Sequence, residues 1–232
     1  MTNEALAVCK IANGTPLRRY VKEGSKLRCN SPLSSQDPLI ADWINRIGTN
    51  YKSPDEMSKV MVLLPCSARK PYSSSQSHRR FRGSLRHRPL HEIIVTAPLG
   101  LVPRELEELW PAGHYDIPVT GDWDLVELNT IRELVKSVAN NNGYELIINH
   151  SGIPIDESEI GAEIIDTRCG EGALSPSSLE RLKNASEDAA KRFHPGYVMN
   201  EKQHLLIKMK SISRWLHNND NWLSNANIGG KP

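Results

Sequence analysis

Residues 60–64 read Val-Met-Val-Leu-Leu and run straight into Pro65 and Cys66. Five consecutive apolar residues predict a short strand covered on both faces, because a strand with one wet face alternates apolar and polar instead. Such a strand needs helices on either side of its sheet, and that requirement constrains the fold more than any other feature of the chain. Two further β-rich runs share the property, Glu92 to Thr96 and Tyr144 to Ile148. Ile164-Ile165 offers a shorter fourth.

The intervals between these runs carry helical periodicity. Asp37-Pro38 has the form of an N-cap with proline in the first turn, and Ile40, Trp43, Ile44 and Ile47 follow at helical spacing. Leu128, Ile131, Val135 and Val138 form one stripe that Asn140-Asn141-Asn142-Gly143 closes, with Asp122 or Asp124 placed to cap its start. Ser175-Pro176 opens a helix with Leu179, Leu182, Ala189 and Phe193 near one face, and Leu205, Met209, Ile212 and Leu216 mark another over residues 201–217. Pro103 to Trp110 is helical by composition, Ala5 to Ala12 is strand-like, and Leu27 to Gln36 reads as loop. Strands alternating with helices predict an α/β fold, three-layered, around a central and mostly parallel sheet. The expected division is an N-terminal segment of uncertain structure (1–36), a core α/β domain (37–217) and a flexible tail (218–232).

In a parallel sheet with right-handed crossovers all strand C-termini share one edge, where open α/β sheets place their ligands. That edge gathers Pro65-Cys66, Ala97-Pro98-Leu99-Gly100 and Asn149-His150-Ser151. Composition narrows what the site can be. The 232 residues carry a net charge of only +2, so any nucleic-acid binding must come from a local patch. No apolar run approaches the roughly 20 residues needed to span a bilayer, and no secretion signal is read at the N-terminus. A cytoplasmic protein is therefore expected, with Cys9, Cys29, Cys66 and Cys169 as free thiols and no Cys-x-x-Cys metal knuckle.

Each candidate has a structural and a chemical reading. Cys66 is a small residue closing a strand, or a nucleophile if Lys70, Arg69 or His78 lowers its pKa. Lys70 is a solvated surface lysine, or a group that holds a carboxylate or phosphate. Tyr72 closes the loop onto the core, or stacks on and hydrogen-bonds a heterocyclic base. Ser75 and His78 are loop residues, or orient substrate and shuttle protons. Asp116 serves turn chemistry, or pairs with the amine and ring N–H of a guanine-like base. Residues 78–88 hold five arginines, Arg79, Arg80, Arg82, Arg86 and Arg88, with Phe81 among them. They form a solvated basic helix face or, as favoured here, a phosphate-backbone contact surface.

Pro65-Cys66, Lys70-Pro71-Tyr72, Ser75 and His78 at this spacing resemble the signature of archaeosine synthases, paralogues of archaeal tRNA-guanine transglycosylases. The likeness continues through His78-Arg79-Arg80-Phe81, residues 97–107 and residues 111–121, covering roughly residues 58–150. It implies a core resembling the uracil-DNA-glycosylase fold. It also implies modification of 7-cyano-7-deazaguanosine at position 15 of tRNA, the amine of free lysine adding to the nitrile to give an amidine. A radical-SAM partner would then cleave the adduct. No metal or cofactor is expected, with lysine as co-substrate. The catalytic set is Cys66, Lys70, Tyr72, Ser75 and His78. Pro65, Pro71, Leu99, Gly100, His114, Tyr115, Asp116 and His150 are the substrate-binding set.

Longer relatives carry a barrel and a PUA-type RNA-binding module that do not fit within these 232 residues. Contact with tRNA would then fall to the arginine patch, to Lys202, Lys208, Lys210 and Arg214 of the last helix, to a partner subunit, or to a homodimer. Two other classes compete. One is a non-catalytic tRNA-binding subunit that recruits the radical enzyme. The other is a nucleobase glycosylase, disfavoured because Cys66-Ser67-Ala68-Arg69 offers no water-activating acid or amide after the first strand.

Overall fold

The structure is a computed structural model. It describes residues 37–86, 88–113, 115, 123 and 125–219, and the backbone of 27–28 and 116. The strand expected at Ala5 to Ala12, Cys9, Cys29, His114, the caps at Asp122 and Asp124, and residues 220–232 of the tail lie outside the described residues.

The strands are β1 (Leu27–Arg28), β2 (Val60–Pro65), β3 (His91–Thr96), β4 (Gly100–Pro103), β5 (Tyr115–Asp116), β6 (Leu146–Asn149) and β7 (Glu163–Asp166). The helices are α1 (Pro38–Thr49), α2 (Gln76–Leu85), α3 (Leu125–Asn142), α4 (Glu157–Ile160), α5 (Pro176–Phe193) and α6 (Glu201–Asn218). The main sheet has the order β4-β3-β2-β6-β7, parallel throughout except for β4. β2 is central, as its unbroken apolar run requires, and every residue from Val60 to Leu64 is fully buried. Its side chains alternate between two cores. Met61 and Leu63 join α1 and α3 on one face, with Trp43, Ile47, Ile131 and Val135. Val60, Val62 and Leu64 join α2 and α5 on the other, with Phe81, Leu85, Leu182 and Ala189.

Three expectations change. Pro103 to Trp110 is not a helix. Gly100–Pro103 instead turns back to pair antiparallel with β3, and Arg104–Leu106 forms a single 3-10 turn. The Glu and Leu content suggested a helix, but Leu101 and Val102 bury more as an edge strand, and proline is tolerated at such an edge. Leu27–Arg28 is not loop: its backbone pairs in parallel with β5 in a separate two-stranded sheet. In α6 the buried side includes Ile207, Ser211 and Trp215 beside Ile212 and Leu216, whereas Leu205 and Met209 are only half-buried. The helix rotates toward Trp215 because that ring packs on Trp43, with centroids 5.6 Å apart.

Gly100 shows how tightly the β3–β4 turn sits under α3. Its φ is +71°, and a Cβ there would lie 2.7 Å from Leu134 Cδ2. Gly100→Ala is therefore expected to destabilise by about 1–3 kcal/mol, from left-handed backbone strain plus the clash. A lowered urea midpoint at unchanged slope would report it; an unchanged midpoint would mean that the turn and Leu134 adjust freely.

Candidate active site

β2, β3 and β6 are in register, with Pro65 opposite Val95 and Leu63 opposite Asn149. The three strand-end segments therefore do share one edge of the sheet. Cys66 leaves β2 there, and the Thr96 side chain at the end of β3 is near enough to pull its thiol pKa down. The Thr96 hydroxyl bonds that of Tyr115, which in turn bonds the hydroxyl of Tyr72. The Lys70 ammonium sits 4.0 Å from the Tyr115 ring centroid and 5.6 Å from that of Tyr72, within cation–π range. Cys66, Lys70, Tyr72, Thr96 and Tyr115 thus form one cluster at the mouth of the sheet, flanked by the half-buried Pro65 and Pro71.

The cluster's protonation follows from its burial. Burial pushes the Cys66 thiol up, against the smaller opposing pulls of Thr96 and Lys70. Burial also holds Tyr72 well above the ordinary phenol range. At neutral pH Cys66 therefore presents an un-ionised thiol and Tyr72 a neutral hydroxyl.

The loop is held from behind. Tyr72–Ser74 forms a 3-10 turn, and Ser73 N donates to Glu107 Oε2 at 2.9 Å. Glu107 pairs with Arg104 at 2.9 Å, and Arg104 pairs with Glu92 at 2.8 Å. Arg104 Nη2 also donates to His78 Nδ1 at 2.7 Å. Because Nδ1 accepts, the hydrogen of this neutral imidazole is on Nε2, and no hydrogen bond to Nε2 is present among the described residues. Burial, then the Arg104 charge, brings His78 down to about 2. His78 is completely buried, its ring against that of Tyr72.

Ser75 serves the helix: it is the N-cap of α2, its Oγ accepting from His78 N at 3.2 Å. A ladder of rings continues inward from Tyr72 to His78 at 5.5 Å, to Phe81 at 5.3 Å and to His150 at 5.1 Å. His150 Nδ1 meets Thr167 Oγ1 at 2.7 Å and Nε2 donates to the Ala173 carbonyl at 2.8 Å, so this ring ties the sheet edge to the loop before α5. Burial lowers it to about 4. Leu99 lies in the hydrophobic core, and Gly100 lies beneath Leu134. For Asp116 only the backbone is described.

Arg79, Arg80 and Arg82 are exposed on α2, and Arg86 is exposed at its C-cap. Arg88 is not part of that exposed row. Its guanidinium donates to the Ser84 and Leu85 carbonyls and to Ser186 Oγ, and pairs with Glu187 at 2.6 Å. Thr96, Arg104 and Glu107 were not singled out for a role from sequence. Thr96 carried one signal, a hydroxyl at the C-terminal residue of a buried strand; the pairing of Arg104 with Glu92 and Glu107 depends on tertiary structure.

A groove of about 780 Å³ lies behind the loop, lined there by Ser73, Arg104 and Glu107, and its lining includes none of Cys66, Lys70, Tyr72, Thr96 and Tyr115. Among the described residues no three His, Cys, Asp or Glu side chains are placed to hold a metal ion. No helix among them is long and apolar enough to cross a membrane.

The chain is 40% identical to "Archaeosine synthase subunit alpha" of Methanosarcina acetivorans, over 67% of this chain and 28% of that protein. It is 35% identical to "Archaeosine synthase" of Haloferax volcanii, over 79% of this chain and 31% of that one. With "tRNA-guanine(15) transglycosylase" of Methanobrevibacter smithii it shares 28% identity over 53% of this chain and 19% of the relative. The matches span about a third or less of the length of these relatives. A solved structure, "Crystal structure of AF0587, a protein of unknown function", superposes with a TM-score of 0.51 at 24% identity. It covers 78% of this chain and 56% of that one, and shows likeness of fold. The family described as "Domain of unknown function (DUF5591)" matches residues 40–186. With that match spanning more than half of its residues, the chain belongs to the DUF5591 domain family and is a relative of the archaeosine synthases.

Proposed function

We propose that the protein is a tRNA-modifying enzyme of archaeosine biosynthesis. In this reading the amine of free lysine adds to the nitrile of 7-cyano-7-deazaguanine at position 15 of tRNA. The observation that carries the reading is the cluster of Cys66, Lys70, Thr96, Tyr72 and Tyr115 at the strand C-termini, in a chain related to archaeosine synthases.

The chemistry needs a neutral amine at the nitrile carbon and a proton for the nitrile nitrogen as the C≡N bond opens. The new N–C bond forms, a π bond breaks, and the amine proton ends on the former nitrile nitrogen, giving an amidine with no leaving group. Tyr72 and Tyr115 are the proton-handling candidates, because their hydroxyls form a chain in which burial holds Tyr72 protonated. His78 is too strongly held neutral, and too deep, for that work. Lys70, over the Tyr115 ring, would hold the carboxylate of the incoming lysine. Burial keeps the Cys66 thiol protonated, which favours direct addition over a thioimidate and gives Cys66 a part in shaping the pocket.

The partners that follow are tRNA carrying the nitrile base and a radical-SAM enzyme acting on the adduct, in the cytoplasm. A homodimer would extend the tRNA-binding surface. The finer fold assignment, a core of the uracil-DNA-glycosylase type, belongs to the same reading.

The test is incubation with tRNA bearing the nitrile base and isotope-labelled lysine, followed by mass analysis of the nucleosides. An adduct one lysine heavier is expected, and Cys66→Ala is expected to keep most of it. No adduct with or without the radical enzyme, alongside tRNA binding, would favour the non-catalytic subunit instead.

A further inference from the structure

We propose that the groove between α2 and the start of α6 is a track for the RNA phosphate backbone, with Arg79, Arg82 and Arg86 as its contacts. The proposal rests on the tRNA reading above and assigns it a surface. Arg79 and Arg82 stand at i and i+3 of α2 and share a face, Arg86 is the C-cap of the same helix, and together they span about 10 Å along its axis. All three line the groove, and Arg80, about 100° around the helix, does not.

Their charge is available. Arg79 and Arg82 have no hydrogen-bond or ion-pair partner among the described residues, and Arg86 donates only to the Gly83 carbonyl of its own helix at 3.1 Å. The acidic residues of the floor are already compensated. Glu92 and Glu107 pair with Arg104, and Glu105 is hydrogen-bonded by Tyr51 and faces His91. On the α6 wall Lys208 pairs with Glu108. The unpaired arginines therefore dominate the charge of the groove, with the exposed Glu201 at its rim as the opposing charge.

A planar guanidinium binds phosphate in bidentate fashion, and a row of them follows a regularly spaced polyanion better than an irregular acidic peptide. The volume of about 780 Å³ lies in the range of nucleotide-sized ligand sites. The groove also reaches Ser73, the residue after Tyr72, on the side where Glu107 and Arg104 hold the loop.

The experiment compares wild type, the triple variant Arg79→Gln/Arg82→Gln/Arg86→Gln, and Lys191→Gln, an exposed lysine of α5 outside the groove. Glutamine keeps helix propensity, and a thermal melt checks folding. Affinity for tRNA carrying the nitrile base is measured by fluorescence anisotropy across a salt series. The triple variant is expected to bind about 10- to 100-fold more weakly near about 0.1 M salt, with a log–log salt slope shallower by about 2 to 3. Lys191→Gln is expected to stay within about threefold of wild type. If wild type binds tRNA but the triple variant keeps its affinity and slope, the groove assignment falls and the tRNA reading stands. If wild type binds no tRNA, both fall. Poly-glutamate competing on equal terms with tRNA would make the groove a peptide site and overturn the proposal.

Discussion

Arg104→Met is expected to lower stability by about 3–5 kcal/mol, the cost of breaking a buried charge network from one side. Arg104 is the hub behind the candidate site. It pairs with Glu92 and Glu107, whose side chains are only 15% and 2% exposed, and donates to His78 Nδ1. Methionine fills much of the volume but leaves both carboxylates without a counter-charge. Glu107 also accepts from Ser73 N, so the turn that presents Tyr72 loosens with it. Arg104→Lys is expected to recover only part of the loss, because a single ammonium cannot bridge two carboxylates and an imidazole at once. Urea denaturation measures both variants. A loss below about 1 kcal/mol for Arg104→Met would show that water reaches Glu92 and Glu107 and that the hub is not what fixes the loop.

Acid is expected to destabilise the fold well before the carboxylates titrate. His78 is brought down to about 2 and His150 to about 4, in both cases chiefly by burial. In the unfolded chain both titrate near 6.5. Below that value the unfolded state binds protons that the folded state refuses, so stability rises with pH and falls as pH drops below about 6.5. The window for His150 closes near about 4 and that for His78 near about 2. Together they lower stability by roughly 2–5 kcal/mol between about pH 7 and pH 4.5. Glu105, held below the usual carboxylate range despite its burial because of His91 and Tyr51, adds to the loss at still lower pH. Urea midpoints across pH test the slope. Imidazole resonances of His78 that do not shift between about pH 7.5 and pH 4.5 test the cause; a midpoint near 6.5 would place His78 in contact with solvent.

The parts of the fold legible in sequence are those fixed by local pattern. The unbroken run Val60–Leu64 marked the central strand. Asp37, Ser175 and the Asn-rich stop before Gly143 marked helix ends, because caps are local chemistry. The edge strand Gly100–Pro103 was not legible, since its pairing with β3 depends on a neighbour. The site divides the same way. Cys66, Lys70 and Tyr72 could be picked out because a dense polar loop follows a buried strand. The different places of Ser75 and His78 could not be, because a cap and a buried Arg104 partner are told apart only in three dimensions. The Thr96–Tyr115–Tyr72 hydroxyl chain joins three segments far apart in sequence, and no short motif encodes it.

The central claim is that the loop after β2 performs the addition, with Lys70 aligning the incoming amine. Its most direct test is a single-turnover reaction of wild type and Lys70→Met with tRNA carrying the nitrile base and saturating labelled lysine, read by nucleoside mass. Wild type is expected to form the lysine adduct. Lys70→Met, folded and still binding tRNA, is expected to form it at least about 100-fold more slowly, the scale of losing alignment at the reacting atoms. Adduct formation by Lys70→Met at the wild-type rate would contradict the account.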